Sequence, residues 1–194
     1  MVTEDIEATG LKRWTKHIEI SKTEWQYLFR NLKSTTTDTK LRWFQYRILH
    51  HILSTNRSVS KFDHTQDHLC TFCKLQSETI IHLLWECPTS NLFWKDLEKV
   101  INLRALHAHN FRFTQSLVIF GKCENIKTDS ICDLIILLGK FYLYRCKVQN
   151  NEVNLKMFIR ELYNRYSVEK EISKNSPLFK TQWAPYTNMF RALM

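Results

Sequence analysis

The chain is poor in the residues that break or cross-link a backbone: three glycines, three prolines and six cysteines in 194 residues. So little Gly and Pro excludes collagen-like and low-complexity character, and the cysteine content is far below the roughly 8–10% of a disulfide-built scaffold. Acidic side chains are also short, 19 against 28 Lys and Arg, which leaves a formal charge of +9. That surplus points to an acidic partner, while 44% hydrophobic and 13% aromatic residues exclude a disordered basic tail. No long hydrophobic run is present either. Ile131 to Tyr144 comes closest, but Asp133, Gly139 and Lys140 interrupt it and it falls short of the ~18 residues of a membrane span. It is a buried-helix candidate, and no membrane partner is expected. The first ten residues carry Glu4, Asp5 and Glu7 where a signal peptide needs a basic start. The expected location is therefore intracellular, in cytoplasm or nucleus and not secreted, where thiols stay reduced and clustered Cys reads first as metal-binding or catalytic.

What is present is enough for a true core, since ~150 residues is a typical domain size. Charge is unevenly spread: residues 1–60 hold 10 basic and 6 acidic side chains, 61–110 hold 5 and 6, and 111–194 hold 13 and 7. The middle is neutral and the flanks are basic. Ser21-Lys22-Thr23-Glu24 is a capping box ahead of Trp25, Leu28, Phe29 and Leu32, predicting a helix to about Lys33. A second helix is predicted to about Ser54 on the stripe Leu41, Phe44, Ile48 and Ile52. Glu78 to Trp85 and Leu92 to Asn102 suit short helices, with Pro88 ending the first, while Phe111 to Phe120 fits either a strand or a loop and turn. Ile131 to Lys147 is apolar nearly all round, so other helices should surround it. Leu155, Phe158, Ile159, Leu162 and Tyr166 form the wall of another helix, with Glu161 and Arg165 paired at i, i+4. The tail from Asn175 should be extended, with Trp183 and Tyr186 tacked onto the bundle.

The expected fold is mainly α, a helical bundle with an inserted Cys-Cys-His-Cys zinc-binding segment. Its parts are a partly disordered lead over 1–20, a helical pair over 21–56, the zinc segment with short helices over 57–110, a second helical pair over 111–174 and the tail over 175–194. Together they should make one integrated domain.

One constellation carries chemistry. Cys70, Cys73, His82 and Cys87 have the spacing C-x2-C-x8-H-x4-C within 18 residues. A C-x2-C turn sets two thiolates on one side of an ion, and a complete set of four ligands leaves no open position, so the site reads as one structural Zn²⁺. The bland alternative is a pair of reduced thiols and a satisfied helix histidine. His64 and His68 are close enough in sequence to replace a ligand. Cys123, Cys132 and Cys146 read as core residues. A retroviral zinc knuckle has a similar outline with a shorter central gap; Phe72 and Trp85 occupy comparable places, where each can stack on a base or pack the loop, and packing is favoured for Trp85.

Leu41-Arg42-Trp43-Phe44-Gln45-Tyr46-Arg47-Ile48-Leu49-His50, Thr55-Asn56, the Cys pair, Glu78-Thr79-x2-His82-Leu83, Glu86-Cys87-Pro88 and Phe93-Trp94 closely resemble the C-terminal zinc-binding region of reverse transcriptases from LINE-type, non-LTR retrotransposons. Phe120-Gly121, Lys140 to Cys146 and Phe158 to Leu162 also look like that region, so the resemblance covers about residues 20–186. It implies a module that follows the polymerase and helps it hold template RNA and target DNA during target-primed reverse transcription, with the reverse transcriptase core of the same element as a further partner. Polymerase chemistry is not expected here, because two-metal nucleotidyl transfer needs clustered aspartates and the chain has no Asp-Asp pair. The Pro-Asp dipeptide of some related endonucleases is also missing, and the chain is expected to be the detached end of an element protein, or a truncated or captured copy.

The first functional reading is a non-catalytic nucleic-acid-binding module, for RNA or DNA. Arg42, Tyr46, Arg47 and His50 should project from the second helix as a basic and aromatic strip, Lys140, Arg145 and Lys147 should extend it, and Phe72 is a further stacking candidate. The bland reading makes these residues solvated faces. A second reading, from another class, is a zinc-stabilised helical platform that docks a polymerase or host factor without touching nucleic acid. An enzymatic reading has only Cys123, or Asp129 with Asp133, to offer as a nucleophile, and no small-molecule substrate is expected.

Overall fold

Ser21 opens the first long helix as its capping box dictates: its side chain accepts from the Glu24 amide, and the Glu24 carboxylate accepts from the Ser21 amide at 2.7 Å. The structure, a computed structural model, describes residues 9–104, 111–121, 130–173 and 177–192. Residues 1–8 of the expected lead lie outside the described residues, as do Cys123 and Asp129. The elements in chain order are α1 (Thr9–Trp14), α2 (Lys22–Thr35), α3 (Thr39–Leu49), α4 (Asn56–Val59), a π-helical turn (His82–Glu86), α5 (Pro88–Arg104), α6 (Gln115–Phe120), α7 (Ser130–Gln149), α8 (Leu155–Ile172), α9 (Pro177–Trp183) and a 3₁₀ helix (Ala184–Ala192). Among the described residues there is no strand, only an isolated antiparallel bridge between Leu69 and Ser77.

Asp38 caps α3 through the amides of Lys40 and Leu41, and Leu41, Phe44 and Ile48 are buried as the stripe requires. Ile52 is not part of that stripe. The helix stops at Leu49, His51 takes a left-handed conformation with φ 56°, and Ile52 comes out 55% exposed. The His51 and Ile52 amides close back onto the Ile48 and Arg47 carbonyls at 2.9 Å, and the Trp14 indole of α1 completes this cap by donating to the Ile48 and Leu49 carbonyls at 3.1 and 3.0 Å. Gly10 lets α1 come this close, because a Cβ there would stand 2.5 Å from the Leu49 oxygen.

The most apolar helix, α7, lies at the centre and touches α2, α3, α6, α8, α9 and the π turn. Gly139 allows its contact with α5: a Cβ at that position would meet the Trp94 ring at 2.7 Å. Phe93, Tyr142 and Phe158 knit α5, α7 and α8 together edge to face and offset, with centroids 5.2–5.8 Å apart. Glu161 and Arg165 are not each other's partners: Arg165 bonds Glu169 at 2.9 Å and lies 3.8 Å from Asp38, and Glu161 takes Arg145. Phe111 to Phe120 resolves into an irregular lead and α6, capped by the Thr114 side chain.

The tail corrects another expectation. It is not extended, because Pro177 sits at the first position of α9, where its missing N–H costs nothing. Phe179, Trp183, Tyr186 and Phe190 follow at helical spacing, and all four are buried. Trp183 and Tyr186 are core residues, and Tyr166 of α8 packs on the Trp183 ring with centroids 5.4 Å apart.

Lys140 is the unusual member of this core. It is 1% exposed and donates to Gln45 Oε1 at 2.5 Å and to the Ile119 carbonyl at 3.1 Å. Burial lowers its pKa from the ordinary 10.5 to about 7, against the opposing charge of Asp133. Below pH 7 both folded and unfolded states hold the proton and the cost of burying it is complete; above pH 7 the folded state releases it first, so stability rises with pH. Urea-unfolding midpoints measured from pH 7 to about 9 should therefore climb more steeply for the wild type than for Lys140→Met, which keeps an unbranched chain one atom shorter and removes its charge. Parallel curves would count against the assignment.

Candidate metal centre and the surface beside it

The Cys70–Lys74 turn is built on backbone: the Lys74 amide donates to the Cys70 carbonyl at 2.9 Å, the Cys70 amide to Gln76 at 2.7 Å, and Lys74 adopts φ 55° at the corner. Across from it, Thr79 Oγ1 accepts the His82 amide at 2.9 Å, which starts the turn that carries the histidine. That turn is not α-helical. In an α-helix residues 82 and 87 would point about 140° apart, at 3.6 residues per turn. Here the Cys87 amide bonds the His82 carbonyl at 2.8 Å, an i to i+5 closure that brings both side chains to one side.

Pro88 makes this closure possible and then creates a debt. With no N–H of its own, it leaves the Leu84 carbonyl without its helical donor, and the Leu83 carbonyl lacks one because the Cys87 amide turns to His82. The Ser90 hydroxyl reaches Leu83 at 2.6 Å and the Trp94 indole reaches Leu84 at 2.7 Å, both from α5. Pro88 thus begins a 17-residue helix as well as ending the turn, and the two short helices expected from sequence are a π turn followed by one long helix.

The four ligand atoms, Cys70, Cys73 and Cys87 Sγ with one His82 ring nitrogen, lie within 4.8 Å of one another. Cys70 and Cys87 Sγ are 3.8 Å apart, and Cys73 Sγ is 3.3 Å from His82 Nε2. Two thiolates at ~2.3 Å from a tetrahedral ion stand about 3.8 Å apart, so the cluster fits zinc, and four protein donors complete its shell. Cys70, His82 and Cys87 are buried and Cys73 is partly exposed. The hydrogen bond from the Cys70 thiol lowers the Cys87 pKa to about 5 and raises that of Cys70; the Thr89 and Ser90 amides further favour the Cys87 thiolate. His82 Nδ1 is buried with no hydrogen-bond partner among the described residues, so the ring is held by packing and by what Nε2 faces. His68, one expected substitute, is an exposed neighbour of Asp67; neither it nor His64 belongs to the cluster.

Residues 13–94 match a family model described as zinc-binding in reverse transcriptase. The match takes in α1's end, α2, α3, the whole Cys-His segment and α5 as far as Trp94, and it concerns a zinc-binding accessory region and not a catalytic polymerase domain. Over that stretch the chain is similar to a reverse-transcriptase zinc-binding region, and its Cys₃His cluster is able to hold one structural Zn²⁺. No curated protein matches the chain.

Around the cluster the structure adds a residue that sequence reasoning quoted only within a motif. Glu78 is fully buried; its Oε1 accepts the Asn56 amide at 2.9 Å and lies 3.4 Å from Lys147 Nζ, and its Oε2 accepts the Thr71 amide at 2.8 Å. Asn56 also donates through its side chain to Leu69 and Thr71. One carboxylate thus joins α4, the Cys turn and the end of α7. The signal was available in the sequence as a lone acid two residues ahead of an apolar segment, Ile80 to Leu84, that contains a metal ligand.

The candidate nucleic-acid residues separate into two groups. Lys140 is buried in the core, Lys147 is 11% exposed against Glu78, and Arg42 donates to the Lys33 and Thr36 carbonyls at the end of α2 at 2.9 and 2.6 Å. Arg145 pairs with Glu161 across two helices and lies over the Phe141 and Tyr142 rings. These cations serve their own chain. Phe72 and Trp85 are half-buried and pack on the core. Tyr46 and Arg47 do face outward with half-buried His50 beside them, and they are joined by Trp43, 61% exposed and missed above although it lies three residues before Tyr46 and seven before His50. Asp133, from the enzymatic reading, is a buried residue that accepts from Asn31 at 3.4 Å.

Two outcomes test this picture. Cys73→Ala should lose stoichiometric zinc by metal analysis and raise protease sensitivity between residues 57 and 104, while the far-UV signal of α7 and α8 largely persists. Glu78→Gln puts an amide donor against a backbone donor and strands Lys147, and should cost about 3 kcal/mol in urea unfolding, the low end for a broken buried pair because Lys147 retains some water. A Glu78→Gln protein as stable as wild type would show that the carboxylate is not the joint described.

Proposed function

We propose that the chain is a non-catalytic nucleic-acid-binding module of a LINE-type reverse transcriptase, which helps hold template RNA or target DNA during target-primed synthesis, beside the polymerase core of the same element. The observation that carries this reading is the strip on α3. Trp43 meets Tyr46 edge to face and His50 meets Tyr46 at a tilt, with centroids 5.2 and 4.1 Å apart, and Phe29 of α2 packs against Tyr46 and His50. Arg47 stands beside them, exposed and without an ion pair among the described residues. Aromatic faces with an unspent guanidinium are what an unpaired base and its phosphate require. The family match adds the reverse-transcriptase setting. Zinc, in this reading, fixes the shape of the segment, and three thiolates on Zn²⁺ leave the centre itself formally negative and unsuited to phosphate.

The test is a salt series of anisotropy titrations with labelled single-stranded RNA, single-stranded DNA and duplex DNA. Trp43→Ala with Arg47→Ala should weaken single-strand binding by at least about tenfold, the size of one lost stacking contact, and lower the log–log salt slope by about 0.7. Wild-type binding that ignores salt, or the absence of binding, would instead favour a zinc-stabilised platform that docks a polymerase or host factor.

A further inference from the structure

Beyond the strip, the chain holds a second concave surface. A cleft of about 910 Å³ opens between α1, the end of α3, α4 and the π turn, at the upper end of the ~300–1,000 Å³ of ligand sites. Its floor is apolar, made by Leu53, Ile80 and Ile81, all buried. Its rim is cationic: Arg13, Arg57 and Lys61 line it together with His17 and His51, against a single acid, Glu86. Arg13, Arg57 and Lys61 are exposed and form no ion pair among the described residues.

The arrangement of these cations is costly to the protein alone. His17 and His51 stack with centroids 6.5 Å apart, and the His51 carbonyl accepts from Arg13. Burial first, and then the charges of Arg13, His17 and Lys61, hold the His51 pKa below its ordinary value. Like charges gathered round a hollow, with one exposed carboxylate in reply, match a chain of anions. The rim also carries two apolar faces turned to solvent, Phe62 at 90% exposure and Ile52 at 55%. A duplex keeps its base faces stacked inside; only an unpaired strand can present a base to Phe62. The cleft also adjoins the strip, because His50 contacts the Tyr46 ring while the next residue, His51, lines the cleft.

We propose that this cleft binds a single strand of nucleic acid, with its phosphates on Arg13, Arg57 and Lys61 and an unpaired base on Phe62. The proposal rests on the nucleic-acid reading above and extends it to a site that none of the sequence candidates occupies. The strand runs from the α3 strip round the turn at His50 and His51 into the cleft.

The experiment uses the full chain with a labelled unstructured oligouridine, its oligodeoxythymidine counterpart and a duplex of the same length. Arg57→Ala with Lys61→Ala should lower the salt slope on single strands by about 1.4, twice the ~0.7 of one phosphate, with zinc content and far-UV signal unchanged. Phe62→Ala should weaken single-strand binding about tenfold and leave duplex binding as it was. If both variants bind like wild type while the Trp43 and Arg47 variant does not, the cleft is overturned and the strip stands. Equal losses on single strand and duplex from Phe62→Ala would overturn the stacking role, and a wild type that binds no oligonucleotide would remove both readings. A preference between the two single strands identifies which one the site selects, and either supports the proposal.

Discussion

Glu78 places a carboxylate out of water where three parts of the chain meet, and the zinc segment keeps its place in the bundle through that charge. Taking a carboxylate into a protein interior costs several kcal/mol unless its lone pairs are filled. Two backbone amides and one ammonium fill them here, and each comes from a different element. A metal cage of four ligands could fold the short loop alone, but it could not orient that loop against α7. The carboxylate does so, and it consumes Lys147, which would otherwise count toward a phosphate surface.

The same economy recurs at the π turn. Bringing Cys87 round to His82 needs a wider coil, and the wider coil with a proline behind it leaves two carbonyls to be satisfied from α5. Trp94, which satisfies one of them, is also the residue whose ring rests on Gly139. The metal ligands are thereby tied by two short bonds to the centre of the hydrophobic core. Charge follows this plan in part: Glu78 and Lys147 pair with each other inside the protein, while Arg47 on α3 and Arg13, Arg57 and Lys61 round the cleft keep their cations for the surface.

Much of this was legible in sequence where the cause was local. The capping box at Ser21, the spacing of the four ligands and the all-round apolarity of α7 are patterns within single segments of the chain, and none depends on a distant partner. The places that were not legible depend on partners far along the chain. Nothing near Ile52 says that Trp14 will seal the helix before it, and nothing near Lys140 says that Gln45 and the Ile119 carbonyl will enclose its ammonium. Arg42, Lys140 and Lys147 look like surface cations because periodicity gives a helix face but not the acceptor opposite it. The tail misled for another reason: a proline reads as a break, whereas at a helix start it is an ordinary first residue. The signal for Trp43 was local and available, since its spacing to Tyr46 and His50 is that of one exposed helix face.

The range of these contacts along the chain also bears on the order in which the molecule assembles. The zinc ligands span 18 residues, and the bond from Trp94 to Leu84 spans ten positions, whereas Glu78 meets Lys147 across 69. Loop-closure entropy makes the long pairing dearer by about 1 kcal/mol than one the size of the ligand loop, a gap that grows once the intervening helices must be ordered as well. The metal segment and the first turns of α5 can therefore close as a unit while α7 is still being synthesised, leaving a buried carboxylate already aimed at the position its cation will fill.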